Sequence, residues 1–173
     1  MVKFGIISDT HITSEDDPKK IIALLNQLRE VFKDVDEIIH AGDVCEEFFL
    51  DELKKIAPIK IVIGKLDKIK NAEEFIKFNA NVYNVGVIHK PPENMEDFFK
   101  KNNLHILIFG HTHIPLIKGT QYNTLILNPG SPTFPKPPPK KPMFKEPVAR
   151  PSVMTLEIDE SNILKTFIIN LKI

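Results

Sequence analysis

Ile106-Leu107-Ile108-Phe109-Gly110-His111-Thr112-His113 is the stretch on which the fold turns. Its four apolar residues read as a buried strand. Just past the strand end stand two imidazoles, two residues apart, able to turn toward one point as a transition metal requires. The pattern repeats at the other end of the chain, where Phe4-Gly5-Ile6-Ile7 runs into Ser8-Asp9-Thr10-His11. A third short strand, Ile38-Ile39-His40, runs into Ala41-Gly42-Asp43. Strand ends carrying Asp9, His11, Asp43, His111 and His113 make a metal centre the leading expectation.

Outward from these ends, strand and helix patterns alternate. Residues 3–8 read as a strand, and Asp17-Pro18 as an N-cap with proline at the first helical position. Ile21, Leu24, Leu25, Leu28 and Phe32 then follow at helical spacing. Residues 37–41 are a second strand. Residues 46–56 are a helix stopped by Pro58, and residues 59–63 a third strand. This βαβαβ order predicts a parallel sheet covered by helices, and such sheets take ligands beyond their strands' carboxyl ends. The second half predicts strands at 82–88, 106–109, 116–118, 122–127, 153–158 and 163–171, with a short helix over 94–103. Residues 132–151 are dense in proline and lysine. Proline cannot donate to a strand ladder, so this run is expected to be an exposed, semi-extended loop. Residues 1–173 are read as a single domain carrying that loop.

The chain balances 23 basic against 23 acidic residues, which argues against broad nucleic-acid binding. A single cysteine, Cys45, excludes an intrachain disulfide and fits a reducing compartment; cytoplasm is the expected location. It also excludes a cysteine-rich zinc site, so a metal must be held by oxygen and imidazole nitrogen. No apolar run approaches the roughly 18 residues of a membrane span, and no signal-peptide pattern opens the chain. The sequence is compatible with a homo-oligomer.

Taken in order, Asp9-Thr10-His11, Gly42-Asp43, Gly64-Lys65-Leu66-Asp67, His89, Gly110-His111-Thr112-His113 and Asn128-Pro129-Gly130-Ser131 resemble the calcineurin-like metallophosphoesterases. The resemblance is to their small single-domain bacterial and archaeal phosphodiesterase branch, and it spans almost the whole chain. It implies an α/β fold: a four-layer α/β/β/α sandwich of two mixed sheets flanked by helices. It also implies a site for one or two divalent ions, with manganese preferred and nickel, iron or zinc compatible. Asp9, His11 and His113 would hold the first ion, Asp43 would bridge, and His89 and His111 would hold the second. Asp43, His111, Lys65 and Asp67 would carry catalysis, a metal-activated hydroxide attacking a small phosphodiester substrate.

The chain departs from the family pattern at Lys65, where relatives carry an asparagine ligand. An ammonium has three donors and no acceptor, so a protonated Lys65 cannot ligate a cation. Two readings stay open: the ammonium replaces the second ion's charge and binds substrate phosphate, or the lysine turns to solvent in a site that has lost activity. Leu66 stands where many relatives have a histidine, and Lys90-Pro91-Pro92 follows His89 where the family has a Gly-His pair. The alternative function is therefore a weak or inactive phosphoesterase-like module for protein interaction, of which the retromer subunit with this fold is a precedent. Asp67 reads as an orienting hydrogen-bond acceptor or a surface carboxylate. His40 reads as support or packing, His105 as structural, Cys45 as a buried inert thiol, and Asn128 to Ser131 as a turn under the site.

Overall fold

The protein, a computed structural model describing residues 1–172, opens with β1 (Val2–Ile7), α1 (Pro18–Val31), β2 (Glu37–His40), α2 (Glu47–Lys54) and β3 (Ile59–Ile61). It continues through β4 (Phe75–Ala80), β5 (Tyr83–Ile88), α3 (Met95–Asn102), β6 (Ile106–Phe109), β7 (Leu116–Gly119), β8 (Leu125–Asn128), β9 (Ser152–Ile158) and β10 (Leu164–Asn170). Two five-stranded mixed sheets result, in the orders β10-β9-β1-β2-β3 and β4-β5-β6-β8-β7. The βαβαβ half is parallel as expected: β1 pairs with β2 and β2 with β3. The antiparallel strands β9 and β10 extend that sheet on the other side of β1. In the second sheet β5, β6 and β8 run parallel.

Alternation along the strands sorts the core into layers. Ile6 and Ile39 join Val85, Val87, Ile106, Ile108, Met154 and Leu156 in a cluster between the two sheets. Their neighbours Ile7 and Ile38 face the other way, packing with Leu24, Leu28 and Phe32 at α1 and Phe49 and Leu53 of α2. Leu107 and Phe109 pack with Phe99 of α3 on the outer face of the second sheet. The architecture is thus α/β/β/α, two mixed sheets between helices. Each fully buried aliphatic or aromatic side chain contributes about 1.5–3 kcal/mol of transfer free energy to that packing.

Local signals set the helix ends. Asp17 caps α1, its carboxylate accepting from the Lys19 N–H at 2.9 Å, with Pro18 first in the helix. Asn94 caps α3 the same way, accepting from the Asp97 N–H, and Asn103 ends it in the left-handed conformation. Gly5 lets α1 approach: a Cβ there would lie 2.7 Å from the Phe32 ring. β4 has no counterpart among the expected strands; it is an edge strand, half exposed, so its apolar alternation is diluted by Lys77 and Asn79. β3 stops at Ile61 because Val62 and Ile63 turn to pair with Glu73 instead. Residues 132–151 hold neither helix nor strand, and residues 136–146 are exposed. Among the described residues no helix is long and apolar enough to cross a membrane.

Candidate metal centre

Four parallel strands deliver the polar residues to one edge of the sandwich. Asp9 and His11 follow β1, Asp43 follows β2, His89 follows β5, and His111 and His113 follow β6. Backbone bonds lace these ends together: Asp9 N–H to Gly42 O at 2.9 Å, His11 N–H to Asp43 O at 3.0 Å, and Gly110 N–H to His89 O at 3.0 Å. The turns that follow are strained. Asp9, His11, Asp43, His111 and His113 all have positive φ, between 46° and 67°. For residues with a Cβ, such conformations cost of order 1–3 kcal/mol each and cluster at functional sites. Five of them at one strand-end rim require an outside reason for donors to be aimed there.

Two overlapping donor groups form, Asp9–His11–His113 and Asp9–Asp43–His89, with the donor atoms of each within 4.8 Å of one another. His11 Nε2 lies 3.2 Å from His113 Nε2, and the two rings stack. His113 Nε2 is 3.4 Å from Asp9 Oδ1, and His89 Nε2 is 3.3 Å from Asp43 Oδ2. A cation bonding imidazole at about 2.0–2.1 Å fits between atoms so spaced. The tautomers suit it as well. His113 Nδ1 lies 2.7 Å from Phe134 O and His89 Nδ1 2.8 Å from Ala41 O, so each Nδ1–H donates and each Nε2 lone pair is free. His89 Nε2 is buried and, despite its closeness to Asp43, has no hydrogen-bonded partner. An orphaned imidazole nitrogen facing two buried carboxylates fits a divalent ion, and the oxygen–nitrogen donor set suits manganese, iron, nickel or zinc.

A surrounding layer fixes these donors. Ser8 Oγ donates to Asp9 Oδ2 at 2.6 Å, and the His111 N–H reaches both Asp9 oxygens at 3.0 and 3.1 Å. The Leu66 N–H donates to Asp43 Oδ1 at 3.0 Å. Asp67 accepts the N–H groups of Asp43, Cys45 and Gly64 at 2.7–2.9 Å, clamping the β2 and β3 turns together. Asn128 donates to Gly110 O at 2.9 Å, and Ser131 Oγ donates to Asp9 O at 2.7 Å, so the Asn128-Pro129-Gly130-Ser131 turn floors the site. Glycine is required where the backbone abuts a donor: a Cβ on Gly64 would sit 2.2 Å from Asp43 Oδ1, and one on Gly42 would sit 2.7 Å from His89 Nδ1.

The two carboxylates sit in different fields. Burial raises the Asp9 pKa, an effect its Ser8 hydrogen bond and the nearby imidazoles only partly offset. Burial would raise Asp43 too, but His89 and the Leu66 N–H hold it at about 2. Burial lowers His11; it would lower His89 as well, but Asp43 and the Ala41 carbonyl raise that ring instead. His40, wholly buried, is pushed down to about 4 and its nitrogens meet Thr10 Oγ1 and the Gly42 N–H. Burial raises the Cys45 thiol to about 11, so the nearby helix end does not activate it.

The structure thus brings Asp9, His11, Asp43, His89 and His113 together. His111 holds Asp9 through its backbone while its exposed ring stands 5.4 Å from the His89 ring, outside both donor groups. Lys65 and Leu66 are exposed at the same rim. His105 lies elsewhere, accepting from the Asn84 N–H. Ser8 and Phe134 escaped the sequence reading. Ser8 was legible as the hydroxyl beside Asp9, whereas nothing local marks the Phe134 carbonyl as a partner of His113.

A family model of the calcineurin-like phosphoesterase superfamily domain matches residues 2–160. A probable metallophosphoesterase of Methanothermobacter thermautotrophicus is 34% identical over 163 residues, 90% of this chain and 85% of that protein. Among solved structures, an archaeal phosphodiesterase superposes with a TM-score of 0.70 at 22% identity, over 97% of this chain and 100% of that one. Zinc-bound Vps29 from Entamoeba histolytica superposes with a TM-score of 0.71 at 23% identity, over 98% of this chain and 99% of that one.

Proposed function

The chain belongs to the calcineurin-like phosphoesterase superfamily, and from that premise we propose that it is a metal-dependent phosphodiesterase acting on a small diester. The observation that carries this reading is the convergence of two carboxylates and three imidazoles from four strand ends, with His89 Nε2 buried and unpartnered. Asp9, His11 and His113 would hold one ion. Asp43, His89 and His111 would hold a second, and manganese is our choice of metal. Bound divalent ions lower the pKa of water and neutralise phosphoryl oxygens.

The protein's own share is positioning. Asp43 Oδ2 lies 3.8 Å from His11 Nε2 and 3.3 Å from His89 Nε2, so it joins the two groups. The Ala41 and Phe134 carbonyls keep protons on Nδ1 of His89 and His113 and their Nε2 atoms turned inward. His111, exposed on the rim, is placed to meet an arriving phosphoryl oxygen. Lys65 gives that rim a positive charge where the family pattern has a neutral asparagine. The archaeal phosphodiesterase that shares the fold supports the diester reading. Zero net charge counts against a nucleic-acid substrate, and the lone cysteine supports a cytoplasmic location.

A second reading has its own observation. Lys65 cannot replace an amide ligand, and Vps29 shares this fold, so the chain can instead serve as an interaction module with little turnover. Elemental analysis of the purified protein, followed by bis-p-nitrophenyl phosphate hydrolysis with added Mn²⁺, separates the two. Bound metal with turnover supports the phosphodiesterase. Protein without metal or turnover leaves the module.

A further inference from the structure

A cavity of about 420 Å³ opens against the metal centre, within the size of ordinary small-molecule pockets. Ile21 and Leu24 of α1, Phe134 and Pro151 wall it, Lys20 stands on it, and His11 closes the end nearest the donors. His11 therefore belongs to two surfaces at once. Its Nε2 lies 3.2 Å from His113 Nε2, and its ring meets Phe134 edge-on at 5.6 Å.

Phe134 is unusual in being both exposed and fixed. The residue is 56% exposed. Its backbone is not free: the N–H donates to Ser131 Oγ at 2.9 Å and the carbonyl accepts from His113 Nδ1 at 2.7 Å. Thr133 beside it donates to Thr10 O at 2.8 Å. The loops that present the donors thus also hold an aromatic ring at a set distance from them. An exposed, preorganised ring beside a reactive centre has the form of a stacking platform, which accepts flat groups without reading a sequence.

Resting on the phosphodiesterase reading above, we propose that this cavity is a substrate subsite that takes an aromatic or heteroaromatic ester arm, with Phe134 as its stacking surface. A diester has two arms. With its phosphorus at the donor cluster, one arm leads past His11 into the apolar cavity and the other into solvent. The walls are mostly apolar and favour an uncharged arm, while Lys20 offers a donor and Asp16 an acceptor to its polar substituents.

The test separates subsite from catalysis. Binding of naphthol to the metal-free protein, followed by ligand-observed NMR, is expected to weaken about tenfold in Phe134→Ala and to persist in Phe134→Trp. Calorimetry with Mn²⁺ is expected to show undiminished metal affinity in both, since the Phe134 carbonyl remains. With Mn²⁺ present, KM for bis-p-nitrophenyl phosphate is expected to rise about tenfold in Phe134→Ala, more than kcat changes. The ratio of KM for that substrate to KM for the p-nitrophenyl ester of thymidine phosphate assigns the arm to a simple aryl group or to a nucleoside. Equal naphthol binding by wild type and Phe134→Ala overturns the subsite. Naphthol binding that depends on Phe134, in a protein that hydrolyses no diester, keeps the subsite and overturns the phosphodiesterase reading.

Discussion

Asp9, His11 and His113 form a donor group on one side of the site, and Asp9, Asp43 and His89 form a second, with the exposed His111 ring beyond both. Their surroundings differ. In the first group Asp9 is fully buried and bound by Ser8 and the His111 N–H, and His113 is fixed by the Phe134 carbonyl. In the second, His89 is fixed by the Ala41 carbonyl, and beside it His111 and Lys65 are exposed. Strained backbone is common to both, since positive φ occurs at Asp9, His11 and His113 and also at Asp43 and His111. The backbone therefore aims donors in both halves, while their side-chain support is uneven: Nδ1 of His113 and of His89 each meets a carbonyl, and Nδ1 of His11 meets only the Cys45 sulfur.

Asp43 links the halves, and the largest effect should come from removing it. Asp43→Ala is expected to lower kcat/KM by roughly a thousandfold or more, the loss of several kcal/mol of charge stabilisation at about 1.36 kcal/mol per decade. Metal content should fall in both halves. An Asp43→Ala protein with wild-type metal content would remove Asp43 from the centre.

A subtler change tests whether backbone shape sustains the second half. Gly64→Ala adds a Cβ within 2.3 Å of the Asp43 nitrogen as well as meeting its carboxylate. The β3 turn must shift, and the Asp67 clamp on Gly64 and Asp43 shifts with it. Changes in such supporting contacts typically cost 10–100-fold in metal affinity, so calorimetric Mn²⁺ titration should show a loss of about that size. Unchanged affinity would mean that Asp43 is free to reorient.

Much of this was readable in the residues. The apolar runs that stop at Ser8, Ala41 and Gly110 gave β1, β2 and β6, because parallel strands buried on both faces cannot hide among polar residues. Asp17-Pro18 marked a helix start because capping is local chemistry. β4 was not readable, because an edge strand can be half polar and its pairing with β5 is decided by sheet assembly. Asp9, His11, Asp43, His111 and His113 were legible from their spacing after strands, and His89 only through the family resemblance; the Asp67 clamp was legible only as one of two options. What spacing could not reveal was which donors converge. The exposed ring of His111 and the partnership of His113 with Phe134, 21 residues away, depend on loop paths that no local pattern encodes.

Lys65 is the point where the comparison of halves is sharpest, and its substitution should produce a gain. Lys65→Asn removes a positive charge from the rim and supplies an amide oxygen that can ligate. Bound metal per chain, by elemental analysis, is expected to rise, and turnover of bis-p-nitrophenyl phosphate with Mn²⁺ to rise about tenfold, the scale of removing one charge repulsion of about 1.4 kcal/mol. Turnover that falls while metal content rises would show the ammonium contacting substrate. Unchanged metal stoichiometry would refute the idea that the lysine substitutes for an ion.

The smallest effect should come from the least supported of the three imidazoles in the donor groups. Nδ1 of His113 and of His89 each faces a carbonyl, but Nδ1 of His11 faces only the Cys45 sulfur, at 3.8 Å. A thiol is a weak hydrogen-bonding group, so His11 keeps more rotational freedom than its neighbours. Cys45→Ser offers a stronger partner in the same place, although the shorter C–O bond moves that atom slightly away. The gain of a modest neutral hydrogen bond, about 0.5 kcal/mol net, corresponds to about a twofold tightening of the first ion. Competition between wild type and variant for limiting Mn²⁺ resolves a difference of that size. Weaker binding by the serine variant would instead mean that the sulfur's bulk, filling the gap beside the ring, holds His11 better than a hydrogen bond can.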